Sequence, residues 1–213
     1  MFMKRIDRDI LAEISAYYSD KFAQYGTTPR GVDWNGRESQ YLRFSQLCKV
    51  IHKDHACFSV NDLGCGYGAL AEYLATHYES FTYAGYDVSA EMVKTAGKRH
   101  SAQANLSFAH AAKPAKKADY TIASGIFNVR QQRAGEEWLA HIISTIELMD
   151  EYSLRGFSFN CLTSYSDRNK MRDYLYYADP CRLFDLCKRK HSRQVALLHD
   201  YGLYEFTIIV RKE

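Results

Sequence analysis

From Cys57 onward the chain alternates between extended apolar patterns and helical ones, and this alternation restricts the fold more than any other feature. "CFSVNDL" (57–63), "FTYAGYD" (81–87), "NLSF" (105–108), "DYTIASGIF" (119–127) and "GFSFNCLT" (156–163) read as strands. "ALAEYLATHY" (69–78), "SAEMVKTAGKRH" (89–100, capped by Ser89) and "EEWLAHIISTIELM" (136–149) carry apolar residues at helical spacing. Such a sequence implies a mainly parallel sheet with helices on both faces. A Tyr-rich connection (164–180) and a short helix, "CRLFDLCKRK", lead to "QVALLHDYGLYEFTIIV", two β-patterned runs around "DYG". So short a turn cannot make a parallel crossover, so the hairpin is predicted to add an antiparallel edge. The expected architecture is an α/β three-layer sandwich with a seven-stranded, mainly parallel sheet.

Ahead of this core, residues 4–22 and 38–51 read as amphipathic helices joined by a turn-rich loop. One domain is predicted, with residues 1–55 capping the site and 56–213 forming the core. At 213 residues the chain can bury a substantial core, and 46% hydrophobic with 25% charged residues is ordinary for a globular protein. A net charge of +3 is too mild to argue for a nucleic-acid partner. No apolar run has the pattern of a signal peptide or a membrane span, so a cytoplasmic protein, monomeric or homodimeric, with no membrane partner is expected. The six cysteines form no C-x-x-C pair, and Cys181 and Cys187 are spaced poorly for zinc, so reduced thiols and no metal are expected.

"DLGCGYGAL" (62–70) places three of the 12 glycines within five residues, between a strand and a helix. A dinucleotide site wants G-x-G-x-x-G, with a pyrophosphate on the helix N-terminus. Here the spacing is G-x-G-x-G, and Asp62 beside it would repel a pyrophosphate but attract a cation. S-adenosylmethionine carries an ammonium and a sulfonium and no phosphate. Asp87 ends the next strand, where a carboxylate can accept from both hydroxyls of a ribose. The competing reading makes Asp62 a helix cap and the glycines plain turn residues.

At these residues the chain resembles the class I S-adenosylmethionine-dependent methyltransferases. The resemblance implies a Rossmann-like fold with the antiparallel last strand inserted into the sheet, S-adenosylmethionine as cofactor and S-adenosylhomocysteine as product. It also implies that Asp62, Gly64, Cys65 and Gly66 line the methionine part, that Asp87 binds the ribose, and that Val88 and Met92 flank the adenine. Ser124 and Gly125, after the fourth strand, join this set, and Arg43 faces the cofactor carboxylate unless it is a solvated helix arginine. "YGTTPRGVDWN", "ASGIFNVR", "LTSYSD" and "LYYADP" resemble small stand-alone bacterial members. One departure stands out: after the third strand, where the family often has an acid for the adenine amino group, this chain reads "AHAAKPAKK". Adenine is then expected to meet the backbone of 109–111 and the side chain of His110, unless His110 is a plain surface residue.

The stretch after the fourth strand, "SGIFN", lacks the [DN]-P-P-[YF] signature of amide and aminopurine methylation, a Pro-Cys pair for attack on a pyrimidine, and an acid for a metal. What remains is in-line transfer to an O or N atom of a small molecule. Phe127 and Asn128 are predicted to face the methyl, with Trp34, Asn35 and Arg37 closing over it. Tyr165 and Tyr177 are predicted to line the acceptor pocket. Asn128, His199 and Asp167 are the catalytic candidates, His199 because imidazole accepts protons near neutrality. A structural hydrogen bond competes for His199, and a packing role for Trp34. RNA or protein acceptors, or a non-catalytic adenosyl-binding module, are the alternatives.

Overall fold

The computed structural model of the chain describes residues 8–32, 34, 36–52 and 57–212. Its sheet comprises β1 (Phe58–Leu63), β2 (Phe81–Asp87), β3 (Leu106–His110), β4 (Ala118–Ala123), β5 (Ser153–Leu162), β6 (Gln194–Leu198) and β7 (Glu205–Arg211). The spatial order is β3-β2-β1-β4-β5-β7-β6. The first five strands pair in parallel, and β7 runs antiparallel to both β5 and β6. The terminal hairpin therefore does not simply extend the edge, as the alternation alone suggested. β7 is inserted, as the family resemblance implied, and β6 becomes the edge. Burial explains the choice: Glu205 to Val210 are all buried, whereas β6 is partly exposed along its length.

The helices are α1 (Arg8–Tyr25), α2 (Arg37–Leu47), α3 (Ala69–His77), α4 (Ala90–Arg99), α5 (Gly135–Glu151) and α6 (Pro180–Lys190). On one face of the sheet Phe44, Leu47, Leu70 and Leu74 pack on Val60, Tyr120 and Ile122. On the other, Trp138, Ile142, Ile146, Leu183 and Cys187 pack on Phe157, Phe159 and Ile208. Two apolar layers around one sheet make the Rossmann-like sandwich. Ser89 caps α4 by accepting from the Met92 amide, and Asp179 caps α6, with Pro180 in its first turn.

Three features shape the site, and the first departs from the sequence reading. β4 ends at Ala123 rather than Phe127, because Gly125 at φ 76° turns the chain away. Residues 111–117, between β3 and β4, form no helix. Across the carboxyl ends of the strands lies α1 instead. Its Ser15 hydroxyl donates to Val88 O (2.9 Å), Ser19 Oγ meets Ser89 Oγ (3.0 Å), and Glu13 pairs with Arg133 (2.7 Å). Residues 4–7 of the predicted first helix lie outside the described residues.

Candidate active site

The turn from β1 into α3 shows why three glycines are needed. Gly64, Gly66 and Gly68 have φ of 78°, 53° and 84°, in the left-handed region where a side chain is strained. At Gly64 a Cβ would also lie 2.2 Å from Ile126 Cγ2, so the loop after β4 closes directly onto this glycine. The turn is pinned to the tip of β2, since the Gly64 and Cys65 amides both donate to Tyr86 O (2.8 and 3.1 Å).

Two carboxylates flank this turn. Asp62, buried on β1, accepts from the Tyr83 hydroxyl (2.6 Å). Burial raises its pKa to about 7; the Tyr83 bond opposes that shift and the neighbouring Asp87 adds to it. Asp87, at the tip of β2, accepts from the Gly66 amide on Oδ2 and the Ser89 amide on Oδ1, both at 2.8 Å. Its pKa is also raised, chiefly by burial, with the backbone bonds from Ser89 and Gly66 and the charge of His110 pulling the other way.

Both acids line one cleft of about 1050 Å³, counting its open mouth. Its floor is Gly64, Cys65 and Gly66, with Ser124, Gly125 and Ile126 opposite. Val88, Met92, Ala111 and Ala112 form one end, and Tyr18, Val32, Trp34 and Gln40 reach over from the N-terminal segment. Ser124 Oγ is buried and has no hydrogen-bond partner among the described residues. Trp34 lies so close to Gly125 that a Cβ there would sit 2.2 Å from Trp34 Cζ2. Behind Trp34, 4.0 Å from its ring, lies the Arg43 guanidinium.

A protein of Mycobacterium tuberculosis named as a methyltransferase, Rv1506c, is 62% identical over 155 residues, covering 73% of this chain and 93% of its own. The family profile "Methyltransferase domain" matches residues 60–146. The chain belongs to the class I methyltransferases. Its fold is similar to that of magnesium protoporphyrin IX methyltransferase from Synechocystis, solved with bound SAM (15% identity, TM-score 0.67, 99% of this chain and 100% of that one). A comparable match is the N-methyltransferase NodS from Bradyrhizobium japonicum, in complex with S-adenosyl-L-homocysteine (15%, TM-score 0.66, 93% and 97%).

Of the residues singled out in the methyltransferase sequence, Asp62, Gly64, Cys65, Gly66, Asp87, Val88, Met92, Ser124, Gly125 and Trp34 line this one cleft. Others do not. Arg43 is bound bidentately to Glu205 of β7 (2.8 and 2.9 Å), both residues buried, so its charge is paired within the protein. His110 is exposed and its Nε2 bonds Val88 O (3.0 Å). Phe127 is fully buried in the core against Phe159, its carbonyl accepting from Trp138 Nε1, because the turn at Gly125 points it away from the cleft. Asn128 Oδ1 accepts from the Leu162 amide (3.0 Å) and joins the ends of β4 and β5.

The remaining expectations lie elsewhere, with His199, Tyr165 and Asp167 around the β6–β7 hairpin. His199 is exposed, its ring 5.9 Å from that of Tyr165, which is itself 69% exposed. Asp167 accepts from the Tyr204 hydroxyl, and Tyr177 accepts from the Arg172 amide. Arg37 is exposed and lies over Tyr41, donating to its hydroxyl. None of these lines the cleft. Asn35 lies outside the described residues.

Sequence reasoning missed Tyr83, Glu205 and Asn160. Asn160 Nδ2 donates to Glu205 (2.6 Å), and its Oδ1 accepts from the Gly125 amide (2.8 Å). Glu205 thus fixes both Arg43 behind Trp34 and, through Asn160, the wall beneath Trp34. A partial signal existed for Asn160, which stands between Phe159 and Cys161 near the end of β5, but none for Glu205, which opens β7.

Proposed function

We propose that this methyltransferase transfers the methyl group of S-adenosylmethionine to an oxygen or nitrogen of a small acceptor. The observation that carries the reading is the pair of buried carboxylates, Asp62 and Asp87, flanking a left-handed glycine turn within one cleft. A cationic amino-acid nucleoside matches this donor set: two acids for ammonium and ribose hydroxyls, a backbone cradle without side chains, and a buried hydroxyl, Ser124 Oγ, to engage. When bound, the cofactor supplies a methyl group on a cationic sulfur, activated without help from a metal or a covalent enzyme intermediate.

The protein's task is then to bind, orient and exclude water. Asp62 attracts the ammonium, and the cation in turn favours its ionised form. Asp87, oriented by the Gly66 and Ser89 amides, keeps lone pairs for ribose hydroxyls. Val88 and Met92 give the base apolar walls. Trp34, Tyr18 and Gln40 cover the cleft from the N-terminal segment and hold the acceptor against the wall of Ser124 to Ile126. His199 and Asp167 drop out as proton acceptors, since neither lines the cleft, so proximity and orientation carry most of the catalysis. The modest charge, +3, and the porphyrin in the name of one structural relative favour a small molecule over a nucleic acid.

Calorimetric titration with S-adenosylmethionine and S-adenosylhomocysteine tests the first step. A screen of small hydroxyl and amine compounds for S-adenosylhomocysteine release tests the second. No binding of either nucleoside at millimolar concentration would end the proposal.

A further inference from the structure

Because residues 111–117 form no helix, the flank of α5 that a crossover helix would cover is open to the cleft. His141, Thr145 and Leu148 all line it there, facing Leu11 and Ile14 of α1. Trp138, Leu139, Ile142, Ile146 and Met149, the other buried residues of α5, are hydrophobic. His141 and Thr145 are thus a polar pair, one helical turn apart, on an apolar helix face. Ala111, just past the end of β3, packs against the same apolar cluster as α5, so this flank adjoins the cleft end formed by Val88, Met92 and Ala111.

The end of β3 itself has little to offer a polar ligand edge. His110 Nε2 is engaged by Val88 O, the Ala111 amide donates to Asp87 O, and Ala111 and Ala112 bring no polar side chain. Thr145 differs. Its hydroxyl proton is directed to the His141 carbonyl (2.9 Å), which fixes Oγ1 as a hydrogen-bond acceptor for anything in the cleft. An acceptor held in this way welcomes the N–H of an exocyclic amine and repels a carbonyl oxygen in the same place.

We infer that His141 and Thr145 read the polar edge of the nucleoside's base, with Thr145 selecting a 6-aminopurine over a 6-oxopurine. The inference rests on the reading that the nucleoside occupies this cleft, and adds the residues that recognise its base. His141 contributes a ring nitrogen to the purine's ring nitrogens, while Val88, Met92 and Leu148 flank the base plane.

The test is a calorimetric comparison of S-adenosylhomocysteine with its 6-oxo counterpart, S-inosylhomocysteine, on the wild type, Thr145→Val, Thr145→Ser and His141→Phe. The wild type is expected to prefer the amino compound by roughly tenfold or more. Thr145→Val should lower affinity for the amino compound roughly tenfold, because one hydrogen bond is lost, and raise affinity for the oxo compound, because the repelling acceptor is gone. Thr145→Ser, which retains the hydroxyl, should keep the preference and so separates recognition from packing. His141→Phe should weaken both. Wild-type affinity and preference in Thr145→Val and His141→Phe would overturn the inference. Failure of S-adenosylhomocysteine to bind the wild type would instead remove the cofactor reading on which it rests. Circular dichroism confirms that each variant is folded.

Discussion

A carboxylate buried beside a second carboxylate and steadied by the Tyr83 hydroxyl is poised between its two protonation states near neutral pH. Asp62, with its pKa raised to about 7 from the ordinary 3.8, has this character. The folded state holds its proton more tightly than the unfolded chain does. Stability from this group is therefore fully present below about pH 4 and is lost as pH rises toward 7. Ligand binding has the opposite slope. A cation beside Asp62 needs the ionised form, so S-adenosylhomocysteine affinity should climb with pH below 7, approaching tenfold per unit, and level off above. Titrations at pH 5.5 to 8.5 read this directly, and Asp62→Asn should remove the part of the slope that Asp62 contributes near pH 7. Tyr83→Phe removes a bond that favours the ionised form, so the same curve should move to higher pH. Asp87→Ala removes a charged acceptor for two hydroxyls and should weaken binding by about 1–3 kcal/mol.

Trp34 and the loop after β4 form a second functional unit, assembled from distant elements. Gly125→Ala should destabilise the protein by about 1–3 kcal/mol from backbone strain alone, and by more because the added methyl meets the indole. The displaced Trp34 should shift its emission, measured against a Trp138→Phe background that leaves it the sole tryptophan. Glu205→Gln leaves the Arg43 charge buried and uncompensated, which should cost about 3–5 kcal/mol in urea denaturation. These elements also show what a sequence can reveal about such a site. Asp62, the glycines and Asp87 fall at fixed offsets along one strand–helix–strand segment, so their meeting is written locally. The pairing of Arg43 with Glu205 spans 162 residues and leaves no local trace, which is why the arginine looked available to a ligand. Strand length misled in the same way: apolar residues continue past Ala123, and only the left-handed turn at Gly125 sends Phe127 into the core. His199 beside an aspartate read as a proton acceptor, but the edge position of β6 leaves it on the surface.

Over the whole molecule, the cleft is where separate parts of the chain meet: α1 and Trp34 from the beginning, the glycine turn from the middle, and Glu205 acting through Asn160 from near the end. A ligand seated there holds all of them together. S-adenosylhomocysteine at 100 times its dissociation constant should stabilise the fold by about 2.7 kcal/mol, seen as a rise in melting temperature. The same bound ligand should protect α1 from limited proteolysis. Among the described residues no helix is long and apolar enough to cross a membrane.

The position of β7 also orders events during synthesis. Emerging from the ribosome, β6 precedes the strand that separates it from β5, so β5 must wait with one edge unpaired until residues 205–211 arrive. Nascent chains halted before that point have a glycine hinge and both aspartates but no anchor for Asn160 or Arg43. The wall that Asn160 braces against Gly125 is thus completed only when β7 joins the sheet, so cofactor capture follows that step.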